Sequence, residues 1–145
     1  MFSNAFVQGV PAPVTTLDPL ATDARPDARA AGVAEMVTIG TTLAQSRELP
    51  GIAESGSNLW CTVGIHPHHA AAEPMPMPED IAAVTNHPKV IGIGESGLDY
   101  FYDRSPRDVQ QAGFRAHIRA ARLAGLPLAI HARDADQDIA AILQD

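Results

Sequence analysis

Short apolar segments alternate with helical ones along most of this 145-residue chain, and that alternation constrains the fold more than any other feature. Glu35 to Ile39, Trp60 to Ile65, Val90 to Gly94 and Leu126 to Ile130 are brief apolar runs with the character of buried strands. Helical signals lie between them. Asp27 to Ala31 stops at Gly32, Thr41 to Ala53 is interrupted or ended by Pro50, and Glu79 to Val84 follows an extended, proline-rich connection. A longer helix opens at Ser105, a suitable N-cap, with Pro106 fitting the first helical position. Val109, Ala112, Ala116, Ala120 and Leu123 then recur at helical spacing, and Gly125 is a natural stop. A last helix is expected over Gln137 to Gln144. Strands separated by helices pair in parallel, because parallel neighbours need a crossover connection. The fold class is therefore α/β, with about four parallel strands.

Such a pattern suits either an open doubly wound sheet or a stretch of a (β/α)8 barrel. A closed barrel takes about 250 residues, so a barrel sequence of this length is an incomplete (β/α)8 TIM-barrel-like fold. Residues 1–22, with Pro11, Pro13 and Pro19 and no clear periodicity, are expected to form a loose arm before an ordered domain over 23–145. Hydrophobic residues at 46% and charged residues at 19% are ample for a packed core and exclude wholesale disorder. Ten basic residues against 17 acidic ones give a net charge of −7, so any hold on a polyanion must be local. A bound cation would provide the missing positive charge. No apolar run is long enough to span a bilayer, the first residues lack a basic flank, and the lone Cys61 fits a reducing compartment. These features predict a cytoplasmic protein without a membrane partner, and a Cys61 that is simply a small buried residue.

Three ionisable side chains follow the carboxyl ends of consecutive predicted strands: His66 after Thr62-Val63-Gly64-Ile65, Glu95 after Val90 to Gly94, and His131 after Leu128-Ala129-Ile130. In parallel α/β folds these ends form one rim where ligands bind, with neighbouring strands about 4.8 Å apart. The three groups can therefore converge. Two imidazoles and a carboxylate suit zinc or another divalent first-row metal, with positions left open for water.

The segments Thr62-Val63-Gly64-Ile65-His66-Pro67-His68, Ile91 to Tyr100 (IGIGESGLDY) and Leu126 to Arg133 (LPLAIHAR) resemble the TatD family of metal-dependent deoxyribonucleases and related hydrolases. The resemblance runs from about Ala31 to Asp145. It implies a distorted (β/α)8 barrel that binds divalent metal ions (Mg, Zn or Mn) and hydrolyses phosphodiester bonds in DNA or another phosphoester. By position, Glu95 resembles the catalytic carboxylate that ligates or bridges metals, and His131 a metal-binding histidine. His66, Tyr100 and Arg133 would lie near the substrate, Arg133 being suited to a phosphate oxygen. Family members carry a His-x-His motif on the first strand, whereas no histidine precedes His66 here. A further histidine and a late aspartate of the family would fall beyond Asp145.

Two other expectations compete with that of a hydrolase. One is a non-catalytic, truncated barrel remnant acting through association, since unpaired strand edges promote pairing with another chain. The other is a small open α/β domain that binds a nucleotide. Gly92-Ile93-Gly94-Glu95-Ser96-Gly97 spells G-x-G-x-x-G, but the fingerprint must open a helix, and Leu98 to Arg104 intervene. The glycines are better explained by close packing or unusual backbone angles. Asp134 to Asp138 mimics the start of a calcium loop but has Ile139 where glycine is required, so a helix N-terminus is expected instead. Arg115, Arg119 and Arg122 are expected to form a solvated stripe, and Tyr100-Phe101-Tyr102 to pack over the rim. His68, His69, His87 and His117 are expected at the surface.

Overall fold

The computed structural model describes residues 26–72 and 74–145. Along the chain these form α1 (Pro26–Ala30), β1 (Met36–Ile39), α2 (Leu43–Ala53), β2 (Leu59–Val63), a short 3-10 turn (Pro67–His69) and α3 (Pro78–Ala83). They continue with β3 (Val90–Asp99), α4 (Arg107–Ala124), β4 (Leu128–Arg133) and α5 (Asp136–Gln144). The expected arm over 1–22 lies outside the described residues. No helix among the described residues is long and apolar enough to cross a membrane.

All strand pairs are parallel, and the sheet order is β1-β2-β3-β4. A doubly wound sheet reverses direction at a switch point, so its spatial order departs from chain order. Here each strand adds to the same edge as its predecessor. With right-handed crossovers, every connecting helix then falls on one face, as in a barrel wall. The sheet is thus a curled segment of a barrel, and the open-domain alternative is set aside.

The core fills the layer between sheet and helices. Leu49 and Ala53 of α2, Cys61 and Val63 of β2, Ile81 of α3, Ile93 of β3, and Ala120 and Ala121 of α4 bury one another. A second cluster joins Leu98, Phe114, Ile139 and Ile142, seating α5 against the end of β3. Removal of this apolar surface from water is the main term holding the helices on the sheet. Cys61 is fully buried, as expected, and burial pushes its thiol pKa up. On the opposite face Val37, Ile39 and Ile91 remain exposed.

Several elements differ from their predicted extent. Pro50 does not end α2, which runs on to Ala53; its missing N–H removes only one bond from the last turns. β3 continues five residues past Gly94 to Asp99. Gly94 and Gly97 have φ of 131° and 145°, and a Cβ at either would collide with a carbonyl oxygen of β4, Ala129 in the first case and His131 in the second. The glycines that look like a strand end are therefore what lets β3 lie against β4, and no helix opens at the G-x-G-x-x-G segment.

α4 begins one residue later than expected, with Pro106 as its N-cap and no side-chain capping bond. Ser105 is engaged elsewhere. Its buried hydroxyl donates to the His68 carbonyl and accepts from the Ala71 N–H, both at 3.2 Å. The buried face of α4 is also rotated from the predicted one. Ala120 is buried as expected, but it is joined by Gln110, Phe114, His117 and Ala121, while Leu123 is 60% exposed. Polar residues hold this face inward because each finds a partner.

His117 is the clearest correction to the expectation of a surface histidine. It is fully buried; its Nε2 accepts the Ile65 N–H at 2.9 Å and its Nδ1 donates to the Gly113 carbonyl at 2.7 Å. Desolvation lowers its pKa, keeping the ring neutral as this pair of bonds requires. Replacing it by leucine would strand the buried Ile65 N–H, so His117→Leu should lose about 1–3 kcal/mol in urea denaturation, with part regained in His117→Gln.

Candidate metal centre

Each side chain of the site is positioned by a local backbone device. The chain leaving β2 is fixed by Ile65 on His117 and by the His66 N–H, which donates to the Thr41 carbonyl at 3.0 Å. The His68 N–H donates to His66 Nδ1 at 3.1 Å, leaving His66 Nε2 toward β4. Glu95 lies where the β3–β4 register shifts between Ile93 and Ser96. There its N–H leaves the ladder and donates to the Gly40 carbonyl at 3.1 Å. Such irregularities re-aim a side chain. His131 sits in β4 opposite Gly97.

The three groups meet at one rim. His131 Nδ1 is 3.2 Å from Glu95 Oε1 and 3.3 Å from His66 Nε2, and one donor atom from each residue lies within 4.8 Å of the others. Glu95 and His131 therefore face a common centre. His66, which the resemblance puts near the substrate, is part of the cluster itself.

Behind them lies a carboxylate that sequence reasoning missed. Asp99 is fully buried; Oδ2 accepts from His131 Nε2 at 2.9 Å and His68 Nε2 at 2.8 Å, and Oδ1 from the Tyr102 N–H at 2.8 Å. Gln110 grips the backbone of the same residue, its Oε1 accepting the Asp99 N–H at 2.8 Å while its Nε2 donates to the Asp99 carbonyl at 3.2 Å. His68 thus leaves its expected surface position to share Asp99 with His131. The signal for Asp99 is strand periodicity: Glu95, Gly97 and Asp99 alternate onto one side once β3 is allowed to pass its glycines.

Electrostatics follow from this arrangement. Burial, reinforced by the neighbouring His131, pushes the His66 pKa down to about 4, so its imidazole is neutral and available as a ligand. The bond to Glu95, with that to Asp99, raises His131, and the same contact lowers Glu95. Burial alone would raise Asp99, but the Tyr102 N–H and the two imidazoles outweigh it and bring it to about 2.

The remaining sequence candidates, Tyr100 and Arg133, lie outside the three-residue cluster itself. The Tyr100 hydroxyl donates to Asp138 at 2.7 Å and accepts from Gln111 at 2.8 Å, with the Arg107 guanidinium 4.2 Å from its ring, so its polar end is turned toward α4 and α5. Arg133 is exposed near Phe101 and Tyr102. Of the aromatics expected over the rim, Tyr102 meets the His68 ring at 5.5 Å between centroids, and Phe101 and Tyr102 are 62% and 49% exposed. His69 is exposed, and His87 pairs with Glu54 at 3.1 Å. Arg119 and Arg122 are exposed as expected, whereas Arg115 pairs with Asp145. Asp136 and Asp138 occupy the first turn of α5.

The donor set fits a metal ion. Two imidazole nitrogens and a carboxylate oxygen at bond lengths of about 2.0–2.1 Å would stand roughly 3.4 Å apart at tetrahedral angles, close to the 3.2 and 3.3 Å separations here. His131 also has the outer support that a metal-binding histidine needs, since Asp99 holds its far nitrogen. Below the raised pKa of His131 a proton is the ion's competitor there, whereas His66 and Glu95 lose theirs at lower pH. Zn²⁺ or Mn²⁺ affinity should therefore rise with pH through the His131 pKa and then level off. Calorimetric titration in buffers of different ionisation enthalpy should show about one proton released per ion on the acid side. Asp99→Asn should weaken ion binding about 10- to 100-fold in the same titration.

Comparison with known proteins agrees with this geometry. The family model described as TatD related DNase matches residues 16–145. The 3'-5' ssDNA/RNA exonuclease TatD of Klebsiella pneumoniae (strain 342) is 36% identical over 117 residues, 81% of this chain and 44% of the relative. Its counterpart of the same name from Rahnella sp. (strain Y9602) is 36% identical over 118 residues, 81% of this chain and 45% of the relative. The crystal structure of YJJV, a TatD homologue from Escherichia coli K12, superposes with a TM-score of 0.72 at 25% identity, covering 79% of this chain and 45% of that one. The chain thus spans somewhat less than half the length of these relatives. With the family match covering most of its residues and the barrel segment shared with a solved homologue, the chain belongs to the TatD family.

Proposed function

We propose that this chain carries part of a metal-dependent phosphodiesterase site acting on single-stranded nucleic acid, with His66, Glu95 and His131 as ligands of a divalent ion. The observation that carries the proposal is the convergence of these three groups at the carboxyl rim of the sheet, in a family whose curated relatives are named exonucleases. An imidazole-rich set favours zinc or manganese over magnesium, which prefers oxygen ligands. Such an ion, when bound, withdraws charge from a phosphoryl oxygen and lowers the pKa of water.

The chain's own residues do the rest. Asp99 keeps the His131 ring in one orientation, so the Nδ1 lone pair is presented to the rim. Glu95, with its lowered pKa, is an anion at neutral pH and adds the only carboxylate of the triad. Arg133, two residues after His131 on β4 and hence on the same side of the strand, is placed to meet a non-bridging phosphate oxygen.

The test is cleavage of a labelled single-stranded oligonucleotide by the purified 145-residue chain, stripped with chelator and reloaded with Zn²⁺, Mn²⁺ or Mg²⁺. Cleavage should require reloading, and Glu95→Ala and His131→Ala should each lower the rate at least about 100-fold, as loss of a group stabilising the transition state does. Equal cleavage by all three proteins would overturn the proposal.

A further inference from the structure

Beside the metal centre stands a pair of exposed aromatic rings for which neither the fold nor the proposed chemistry accounts. Large apolar side chains are usually withdrawn from water, yet Phe101 is 62% and Tyr102 49% exposed. Their rings are edge to face at 4.8 Å, and the Arg133 guanidinium lies 5.5 Å from the first and 5.0 Å from the second. Arg104 flanks the other side, 5.6 Å from Tyr102. Neither arginine enters any of the ion pairs among the described residues. In a chain of net charge −7, two cations left free beside two bare rings form a local exception.

The position of the pair is not that of a loosely hung loop. The Tyr102 backbone N–H is anchored on Asp99, whose other oxygen holds His131, and the Tyr102 ring meets the edge of His68 at 5.5 Å between centroids. One buried carboxylate thus ties the aromatic ledge and a metal ligand into a single unit. Flat apolar faces with cations alongside recognise a flat aromatic group that carries negative charge. An unstacked nucleobase with its phosphate is such a group.

We infer that Phe101, Tyr102 and Arg133 form a subsite that stacks an unpaired nucleobase and holds its phosphate, placing the neighbouring phosphodiester over the His66–Glu95–His131 centre. This deepens the function proposed above and rests on it for the identity of the substrate. The subsite selects single strands, because a base inside a duplex has no free face to offer. Arg133 contributes the phosphate contact and the aromatic pair the preference for a base.

The experiment measures binding of the 145-residue chain in chelator, where nothing is cut. The probes are labelled short oligothymidylate, an abasic oligomer of equal length and charge, and a blunt duplex. Oligothymidylate should bind about tenfold more tightly than the abasic oligomer, as expected from base–aromatic stacking. The double variant Phe101→Ala/Tyr102→Ala should bind both oligomers equally, and Arg133→Ala should weaken both to the same degree. Phe101→Trp should retain the preference, with its indole fluorescence quenched by the base.

Equal binding of the two oligomers by the unmodified chain would overturn the inference, as would a double variant that keeps the preference while melting at the unmodified temperature. Should the double variant unfold, Phe101→Trp decides, since a stacked base must quench its indole. A chain that prefers bases but never cleaves them would refute the hydrolase proposal and leave the subsite standing. Cleavage without base preference would do the reverse.

Discussion

The carboxylate of Asp99 is the constraint on which the rest of this site depends. A charge with no exposure to water is tolerated only if hydrogen bonds replace its hydration. Here the replacements come from three different segments: the imidazole of His68 in the 3-10 turn, the imidazole of His131 in β4, and the backbone of Tyr102 in the loop before α4. Gln110 of α4 fastens the main chain of the same residue. Removing any one partner would leave a buried anion short of a donor, a penalty larger than the ordinary value of a hydrogen bond. The segments are therefore held in mutual register by an electrostatic need as much as by apolar packing. His131, which Asp99 holds directly, inherits that register.

Much of this is legible in the sequence, and the reasons differ by residue. His66, Glu95 and His131 can be found because parallel strands present their carboxyl ends at one rim, so strand ends alone bring distant residues together. Asp99 and His68 cannot be found in the same way. Local propensity ends β3 at Gly94, although its glycines serve a tertiary purpose, close approach to β4, that no local rule contains. His117 and Gln110 are hidden for a related reason. A pattern of apolar spacing cannot recognise a helix face whose inward positions are polar and individually paired. Tyr100 belongs to the motif that carries the resemblance, and its hydroxyl is bonded to Asp138 and Gln111, partners that no local pattern announces.

The architecture also explains why a segment less than half as long as its relatives still brings three donors together. Strand-by-strand addition makes neighbouring strands consecutive in the chain, so donors after β2 and on β3 and β4 meet without a contribution from distant sequence. The helices then cover one face of the sheet, and the apolar side chains Val37, Ile39 and Ile91 line the other. A barrel-type sheet thus divides labour: stability comes from the helical side and chemistry from the strand ends.

The irregular step in β3 has a further consequence for selectivity among ions. Glu95 is displaced from the ladder while His131 is held flush against Gly97, so the main chain limits how far the two donors can be drawn apart. Side-chain rotation adapts cheaply to ions of different radius; a gap fixed by two bonded strands does not. Under the proposed function, such a gap would suit compact, nitrogen-rich coordination better than a wide oxygen cage.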